Sequence, residues 1–410
     1  MVRPSRLIWP AAYAAFLWVG PGGSNRSVSA QGLPLVRDLG PVVGVTQSLL
    51  SSVSGLREFD DGRVLVNDAS ARRVVVLDSA LKVVKTVLDT SSGARFRYVR
   101  PLILVSGRAG DSTLLIDPVS LSVLAINRNG ELAGLTAIPR PQDVAAIQNV
   151  ESGRPGIDSR GRLVYRLAPS QASRPTPGVS RTALADSAAV VGVEWSGRRM
   201  DTLAVVKVRA RVPVVAPGVT GGSIVGTRID PIVLLDEWVV TANGEIAVLR
   251  GGDLHIDWVR ADGTRAATAK LPYEWRRLTD SAKAAIVDSA RRVSEAHPLR
   301  GAEIGNGTNI IAAIAPVMAS DSLPDYRAPF APQTTWADAN GNVWVLPVPQ
   351  APSVEGAVYY VVNPAGEVVD RVRIPGGMRI AGFGRNSVYL ASRETAGGAS
   401  GLALIRRRLR

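Results

Sequence analysis

Asp60-Asp61-Gly62-Arg63-Val64-Leu65-Val66-Asn67, followed by Arg73-Val74-Val75-Val76-Leu77-Asp78, is the stretch on which the fold turns. A polar turn bearing Gly opens a short apolar run, and a second polar turn opens a second run. Looser copies stand at Asp158-Ser159-Arg160-Gly161-Arg162-Leu163, Asn243-Gly244-Glu245-Ile246 and Asn340-Gly341-Asn342-Val343-Trp344. Self-similarity at a period of a few tens of residues marks a repeat architecture. The runs are rich in Val, Ile, Leu, Tyr and Trp and are bounded by Gly, Asp, Asn and Pro, which is the chemistry of strands and turns. Val74–Leu77, Leu114–Ile116, Ala204–Val206 and Val358–Val362 are apolar on both faces, so these strands are expected to lie between neighbouring sheets.

Counted turn by turn, the phrase gives six units, at about Leu56–Leu88, Tyr98–Ile138, Arg154–Val208, Leu235–Leu271, Thr334–Ile374 and Met378–Leu409. Four short strands per unit, repeated six times, predict an all-β fold, a six-bladed β-propeller. The sixth unit shows three strands. The free strand Leu33–Leu39 is predicted to complete that last blade and so remove the open edges of the ring.

Three insertions lengthen the units. Ala168–Asp186 (Pro-, Ser- and Ala-rich) and Arg211–Arg228 read as loops. Pro272–Pro332, between blades four and five, carries the strong helix signal. Thr279 caps it, Asp280 suits its N-terminus, and Leu278, Ala282, Ile286, Ser289 and Val293 keep a helical spacing. Arg291, Arg292 and His297 suit the C-terminal dipole, and Pro298 ends the helix.

The first thirty residues read as a signal peptide. Arg3 and Arg6 precede an apolar run of 14 residues, Leu7–Gly20, and Val28-Ser29-Ala30 offers a cleavage site. That run is interrupted by Pro10 and is shorter than the roughly 20 residues of a membrane span. The expected mature chain is therefore one propeller domain over residues 31–410. It is exported, periplasmic or extracellular, with no stable membrane insertion once the signal is removed. Cysteine is absent, which excludes disulfides, thiol catalysis and thiolate metal sites. The formal net charge is +13, but only five of the 48 basic residues are lysines and the arginines are scattered, so nucleic acid is not an expected partner.

The phrases Asp60–Asn67 and Trp336-Ala337-Asp338-Ala339-Asn340-Gly341-Asn342-Val343-Trp344-Val345 resemble blade starts of NHL-repeat-type six-bladed propellers. Leu323-Pro324-Asp325-Tyr326-Arg327-Ala328-Pro329-Phe330 resembles a segment of uncharacterised exported bacterial propellers of this group. The resemblance covers most of the mature chain. It implies a fold used for ligand or protein binding and, in some branches, for lactone hydrolysis or lyase chemistry.

Asp253, His255 and Asp257 alternate on an expected strand and would share one face, an arrangement able to hold a divalent ion or a proton. Asp236-Glu237 opens the innermost strand of unit four, where at most one carboxylate can face the central channel. Tyr273-Glu274-Trp275-Arg276-Arg277 and Tyr326-Arg327 flank the long insertion, and aromatic rings beside guanidinium groups suit sugars, peptides or anions. Arg406-Arg407-Arg408 belongs to a closing strand rather than a basic tail. No phosphate loop, nucleophile elbow or zincin motif is present. The expectation is a non-catalytic, monomeric binding scaffold that recognises a protein, peptide or carbohydrate through one face of the ring. Its candidate binding residues are Tyr273, Trp275, Arg276, Arg277, Tyr326, Arg327, Asp236 and His255, with no catalytic residue, metal or cofactor assigned. The rival expectation is a metal-assisted hydrolase or lyase, gluconolactonase-like, at the channel mouth.

Overall fold

The computed structural model describes residues 32–91, 97–106, 112–169, 186–196, 199–210, 213–217, 223–297, 299–303, 309–348, 355–396 and 399–409. The signal-peptide expectation falls outside them, as does most of Ala168–Asp186. Residues from Pro34 onward form one compact unit.

Six antiparallel blades make a closed propeller. Blade one is Gly55–Glu58, Val64–Asp68, Arg73–Leu77 and Val83–Leu88. Blade two is Ile103–Ser106, Ser112–Asp117, Ser122–Asn127 and Leu132–Ala137. Blade three is Gly156–Ile157, Leu163–Arg166, Ser187–Val193 and Met200–Lys207. Blade four is Glu237–Val240, Ile246–Leu249, Ile256–Val259 and Arg265–Ala267. Blade five is Trp336–Ala337, Val343–Val345, Gly356–Val362 and Val368–Pro375. Met378–Gly384, Ser387–Ala396 and Ala399–Arg408 begin blade six. The first strand of each blade lies innermost. From Met378–Gly384 through blades one to five, each inner strand touches the next, and Trp336 meets Phe383 edge-on where blades five and six join.

The recurring phrase is the hairpin between a blade's first two strands. Gly62 N–H donates to Phe59 O and Phe59 N–H to Arg63 O, and the same pair of bonds recurs at Asp158/Gly161, Thr241/Gly244 and Asp338/Gly341. The fourth residue of each turn is Gly at φ between +75° and +82°, the left-handed position that follows a type I turn in a three-residue hairpin loop. The leading side chain adds a local cap. Asp158 Oδ1 accepts from the amides of Arg160 and Arg162, and Asp338 Oδ1 from those of Asn340 and Asn342.

Because the strands are apolar on both faces, each blade is buried against two neighbours. Six apolar clusters result, one at every blade interface. At the junction of blades one and six, Val64, Val66, Val75 and Leu77 meet Tyr389, Ala391 and Leu404. A buried polar knot joins the same two blades. Glu58 accepts from the hydroxyls of Tyr389 and Ser387 and pairs with Arg406 at 3.3 Å.

Ring closure departs from the expectation at Leu33–Leu39. Val42–Val45 pairs antiparallel with Ala399–Arg408 and supplies the fourth strand of blade six. Val36–Asp38 instead runs parallel along the outer edge of blade five, against Val368–Pro375. The expected strand thus edges blade five, and the strand that closes blade six lies just beyond it, after Gly40-Pro41.

The insertion Arg211–Arg228 is likewise not a loop. Pro213–Pro217 and Ser223–Thr227 form a two-stranded ribbon, and Leu299–Glu303 with Asn309–Ala313 forms a second ribbon beside it. Proline at both ends of Pro213–Pro217 argues against a strand inside a sheet, but a two-stranded ribbon has free edges that tolerate it.

Gly244 sits where the turn of blade four meets that of blade three. A Cβ there would lie 2.2 Å from Ser159 N, whereas one on Gly161 would meet nothing within 4 Å. Both residues have positive φ. Gly161→Ala is expected to cost about 1–2 kcal/mol of left-handed strain. Gly244→Ala adds overpacking against backbone, about 2–5 kcal/mol in total. Urea unfolding of the two variants checks the difference.

Candidate functional site

In a four-stranded blade the outer strand ends where the next inner strand starts. The connections 208–236 and 268–335 therefore both leave the ring at one end. The second strand of blade three also ends there, so the connection 167–186 starts and finishes at that end too. The two longer insertions are bonded to each other: Ile229 N–H donates to Pro316 O at 2.9 Å, and Met318 N–H to Ile229 O at 2.9 Å.

The helix is Asp280–Ala296, and Thr279 Oγ1 accepts from Ala282 N at 3.2 Å as its N-cap. Its buried face differs from the expected stripe. Lys283, Val287 and Ser294 are buried and Ile286 is half-buried, whereas Ser289 is exposed and Val293 is 57% exposed. Lys283 can face inward because its ammonium is used: Nζ donates to Leu323 O at 3.2 Å and to Asp325 Oδ1 at 2.7 Å. Ile232, Val287 and Leu323, with Leu278, Ile286, Val317 and Met318, form a small core that belongs to the insertions. His297 is the C-cap, its N–H donating to Val293 O. Arg291 pairs with Asp288 at 3.2 Å and lies before the last turn.

Beneath this cap a cavity of about 440 Å³ opens between the insertions and blades three and four. Pro231, Ile232, Leu235, Ile286 and Phe330 give it an apolar wall, and Glu151, Arg209, Asp236, Glu237 and Arg327 give it charge. Arg209 reaches Glu151 at 4.0 Å and donates to Asp230 O at 2.8 Å. Arg327 is exposed and has no hydrogen-bond or ion-pair partner among the described residues.

Both carboxylates at the floor are saturated. Asp236, 6% exposed, accepts from Lys207 N at 2.9 Å, Gly251 N at 3.0 Å and Arg250 Nη1 at 2.7 Å. Glu237 is the first residue of its inner strand, is 3% exposed, and accepts from the amides of Gln333 and Thr335. Burial pushes the Glu237 carboxyl up, while those amides and the charge of Arg154 pull it back.

Beyond Glu237 lies the axial channel, a second cavity of about 280 Å³ lined from the inner strands of all six blades. Arg154 stands in it with its guanidinium carbon 3.7 Å from the centroid of the Trp336 ring. Desolvation inside the ring brings that guanidinium down to about 10, against the opposite pull of Glu237, and the neighbouring charge of Arg379 acts in the same downward sense. It stays protonated at neutral pH. Neither Arg154 nor Arg379 announces itself in the sequence, since each is a lone arginine among many. The only local signal is that Arg154 directly precedes Pro155-Gly156 at the start of an inner strand.

Of the eight expected binding residues, Asp236 and Arg327 line the capped cavity. His255 does not. It precedes the third strand of blade four, which starts at Ile256, because Leu254 takes φ +54° and breaks the extended run expected over Asp253–Asp257. The three side chains still meet: His255 lies 2.5 Å from Asp253 Oδ1 through Nδ1 and 3.1 Å from Asp257 Oδ1 through Nε2. Asp257 also takes Arg250 Nε at 2.7 Å. Arg250 thus joins His255 and Asp236 through Asp257 in one chain of polar contacts without bringing them into one cavity. Among the described residues no group of three His, Cys, Asp or Glu is placed to hold a metal.

Tyr273, Trp275 and Tyr326 stack edge to face at 5.1 and 5.9 Å. Tyr273 and Trp275 pack on the core between blades four and five, so these rings staple the insertion to the ring. Arg276 pairs with Glu274 at 3.6 Å and Arg277 with Asp325 at 3.0 Å. Arg406 and Arg407 lie in the third strand of blade six, as the closing-strand reading expects, bonded to Ser387 and Gly40 O.

No family model matches the chain, and no curated protein matches it. Solved structures similar to it include a member of the DUF4221 family from Bacteroides vulgatus (9% identity, 91% of this chain and 98% of that one, TM-score 0.45). Others are virginiamycin B lyase from Staphylococcus aureus with quinupristin (9%, 89% and 99%, 0.37) and the calcium-binding protein regucalcin from Agrobacterium tumefaciens (11%, 92% and 98%, 0.36).

Two outcomes follow from this wiring. Arg250→Met leaves Asp236 buried without its charged partner and is expected to lower stability by about 1.5–3 kcal/mol in urea unfolding. Asp325 is held below the usual carboxylate range by its bond to Lys283 and by Arg277. A depressed folded-state pKa gives stabilisation that is present above the unfolded value, about 3.9, and lost as pH falls through the folded value. Hydrogen exchange of the helix amides is therefore expected to rise below about pH 3.9, and Asp325→Asn should remove that acid dependence.

Proposed function

We propose that this chain is an exported, non-catalytic, monomeric binding propeller that holds a protein or peptide partner at its insertion-bearing end. The NHL-type phrasing of its blades and its signal-like first thirty residues support the setting. The observation that carries the reading is the capped cavity, an apolar recess in which the carboxylates are already engaged. A metal-assisted hydrolase or lyase working through Asp236 or Glu237 would need that carboxylate free to hold the metal or move a proton. Asp236 and Glu237 are committed to amides and to Arg250. An apolar wall with a few charged groups instead suits an extended peptide whose hydrophobic side chain enters the recess while a carboxylate meets Arg327.

Selection from a displayed peptide library tests this. Enriched sequences are expected to place an apolar residue next to Asp or Glu. Arg327→Glu should weaken their binding by about tenfold or more, as loss of a charge-assisted contact does. Arg385→Glu, at the opposite end of the ring and also exposed, should leave it unchanged. Peptides that bind both variants equally, or turnover of a lactone or glycoside panel by the purified chain, would overturn the reading.

A further inference from the structure

We propose that the axial channel binds a small carboxylate-bearing molecule at Arg154, which lines it, with Arg379 adding its charge from the insertion-bearing end. Both residues stand at the start of inner strands, Arg154 just before Gly156–Ile157 and Arg379 second in Met378–Gly384, so they share one end of the channel. Arg154 is accessible from the channel although its guanidinium is enclosed by the ring, Arg379 is exposed, and neither has a hydrogen-bond or ion-pair partner among the described residues. The charges do not balance. The charged side chains that act on Arg154 are one carboxylate, Glu237, and one further guanidinium, Arg379, and the Glu237 oxygens are taken by the amides of Gln333 and Thr335. Asp338 also lines the channel, but it accepts from Asn340 N, Asn342 N, Asn342 Nδ2 and Trp344 Nε1. One positive charge is left for a ligand.

The Arg154 guanidinium carbon lies 3.7 Å from the Trp336 ring centroid, a contact through the ring face that leaves the N–H groups of the guanidinium free to donate. That flat fork matches the two oxygens of a carboxylate. Gly55, Gly156 and Gly382 line the wall without side chains, and Leu56, Leu104, Ile157, Val240 and Phe383 make it apolar. Such a wall suits an organic body attached to the acid, which a bare inorganic anion lacks. The volume of about 280 Å³ is that of a single sugar-acid- or amino-acid-sized molecule rather than a polymer. A monocarboxylate cancels the surplus charge; a phosphate dianion overshoots it.

Calorimetric titration of the full chain with phenylacetate and glucuronate is the test, with phenylacetamide and glucose as neutral counterparts and inorganic phosphate as the bare anion. At least one acid should bind about tenfold or more tightly than its neutral counterpart, and its affinity should fall as salt rises. Arg154→Met and Arg379→Gln should each weaken it by about ten- to a hundredfold. Arg379→Gln guards against a folding defect in the first variant, because Arg379 stacks on no ring among the described residues. Failure of both acids to bind, equal binding of the neutral compounds or of phosphate, or an unchanged affinity in Arg379→Gln would overturn the proposal. Peptide capture through Arg327 is read separately, so loss of one site leaves the other standing.

Discussion

The constraint on which everything else depends is that no blade has a core of its own. Val64–Asp68 and Arg73–Leu77 are almost wholly buried, yet a single four-stranded sheet can cover neither of its faces. Each side chain of Val or Leu size contributes about 1.5–3 kcal/mol when withdrawn from water, and here it is withdrawn only by the adjoining blade. Stability is therefore a property of interfaces, six in all, and an open ring would leave two apolar faces wet. At the junction where the circle is completed, the Glu58–Tyr389–Ser387–Arg406 knot adds directional bonds to the apolar contact.

That constraint explains what the sequence discloses. A strand buried on both faces reads as an unbroken apolar run, and a tight turn between two such runs demands Gly at positive φ, so blade boundaries fall within a few residues of where the phrase places them. What depends on pairing over long distances is less visible. Val36–Asp38 and Val42–Val45 are both short and apolar, and only partners more than 300 residues away decide that one edges blade five while the other completes blade six. The helix face misleads for a related reason. Lys283 looks like a surface residue until Leu323 and Asp325 arrive to receive its ammonium.

The functional end is legible by position and opaque by residue. Interruption of the repeat points to the correct face, because connections from an outer strand to the next inner strand all emerge there. The conspicuous residues then turn out to be structural. Tyr273 and Trp275 anchor the insertion, and the two carboxylates beside His255 hold it in place. Arg154 in the channel and Arg379 near it are solitary arginines in a chain that has dozens, and among the described residues neither has a hydrogen-bond or ion-pair partner. Sequence patterns report side chains that repeat; they carry no mark for a side chain that is left over.

The strand Val42–Val45 has one more consequence. It is made near the beginning of the chain but is bonded to Ala399–Arg408, near its end. A chain synthesised N-terminus first completes this strand early and must hold it unpaired until the last blade is made. Intermediate states thus carry an exposed apolar strand throughout synthesis, the kind of edge that invites wrong partners. The same arrangement ties the two ends of the polypeptide to one blade. A cut at any other single connection would leave the circle held by its remaining interfaces, whereas loss of either end undoes the one sheet that both ends share.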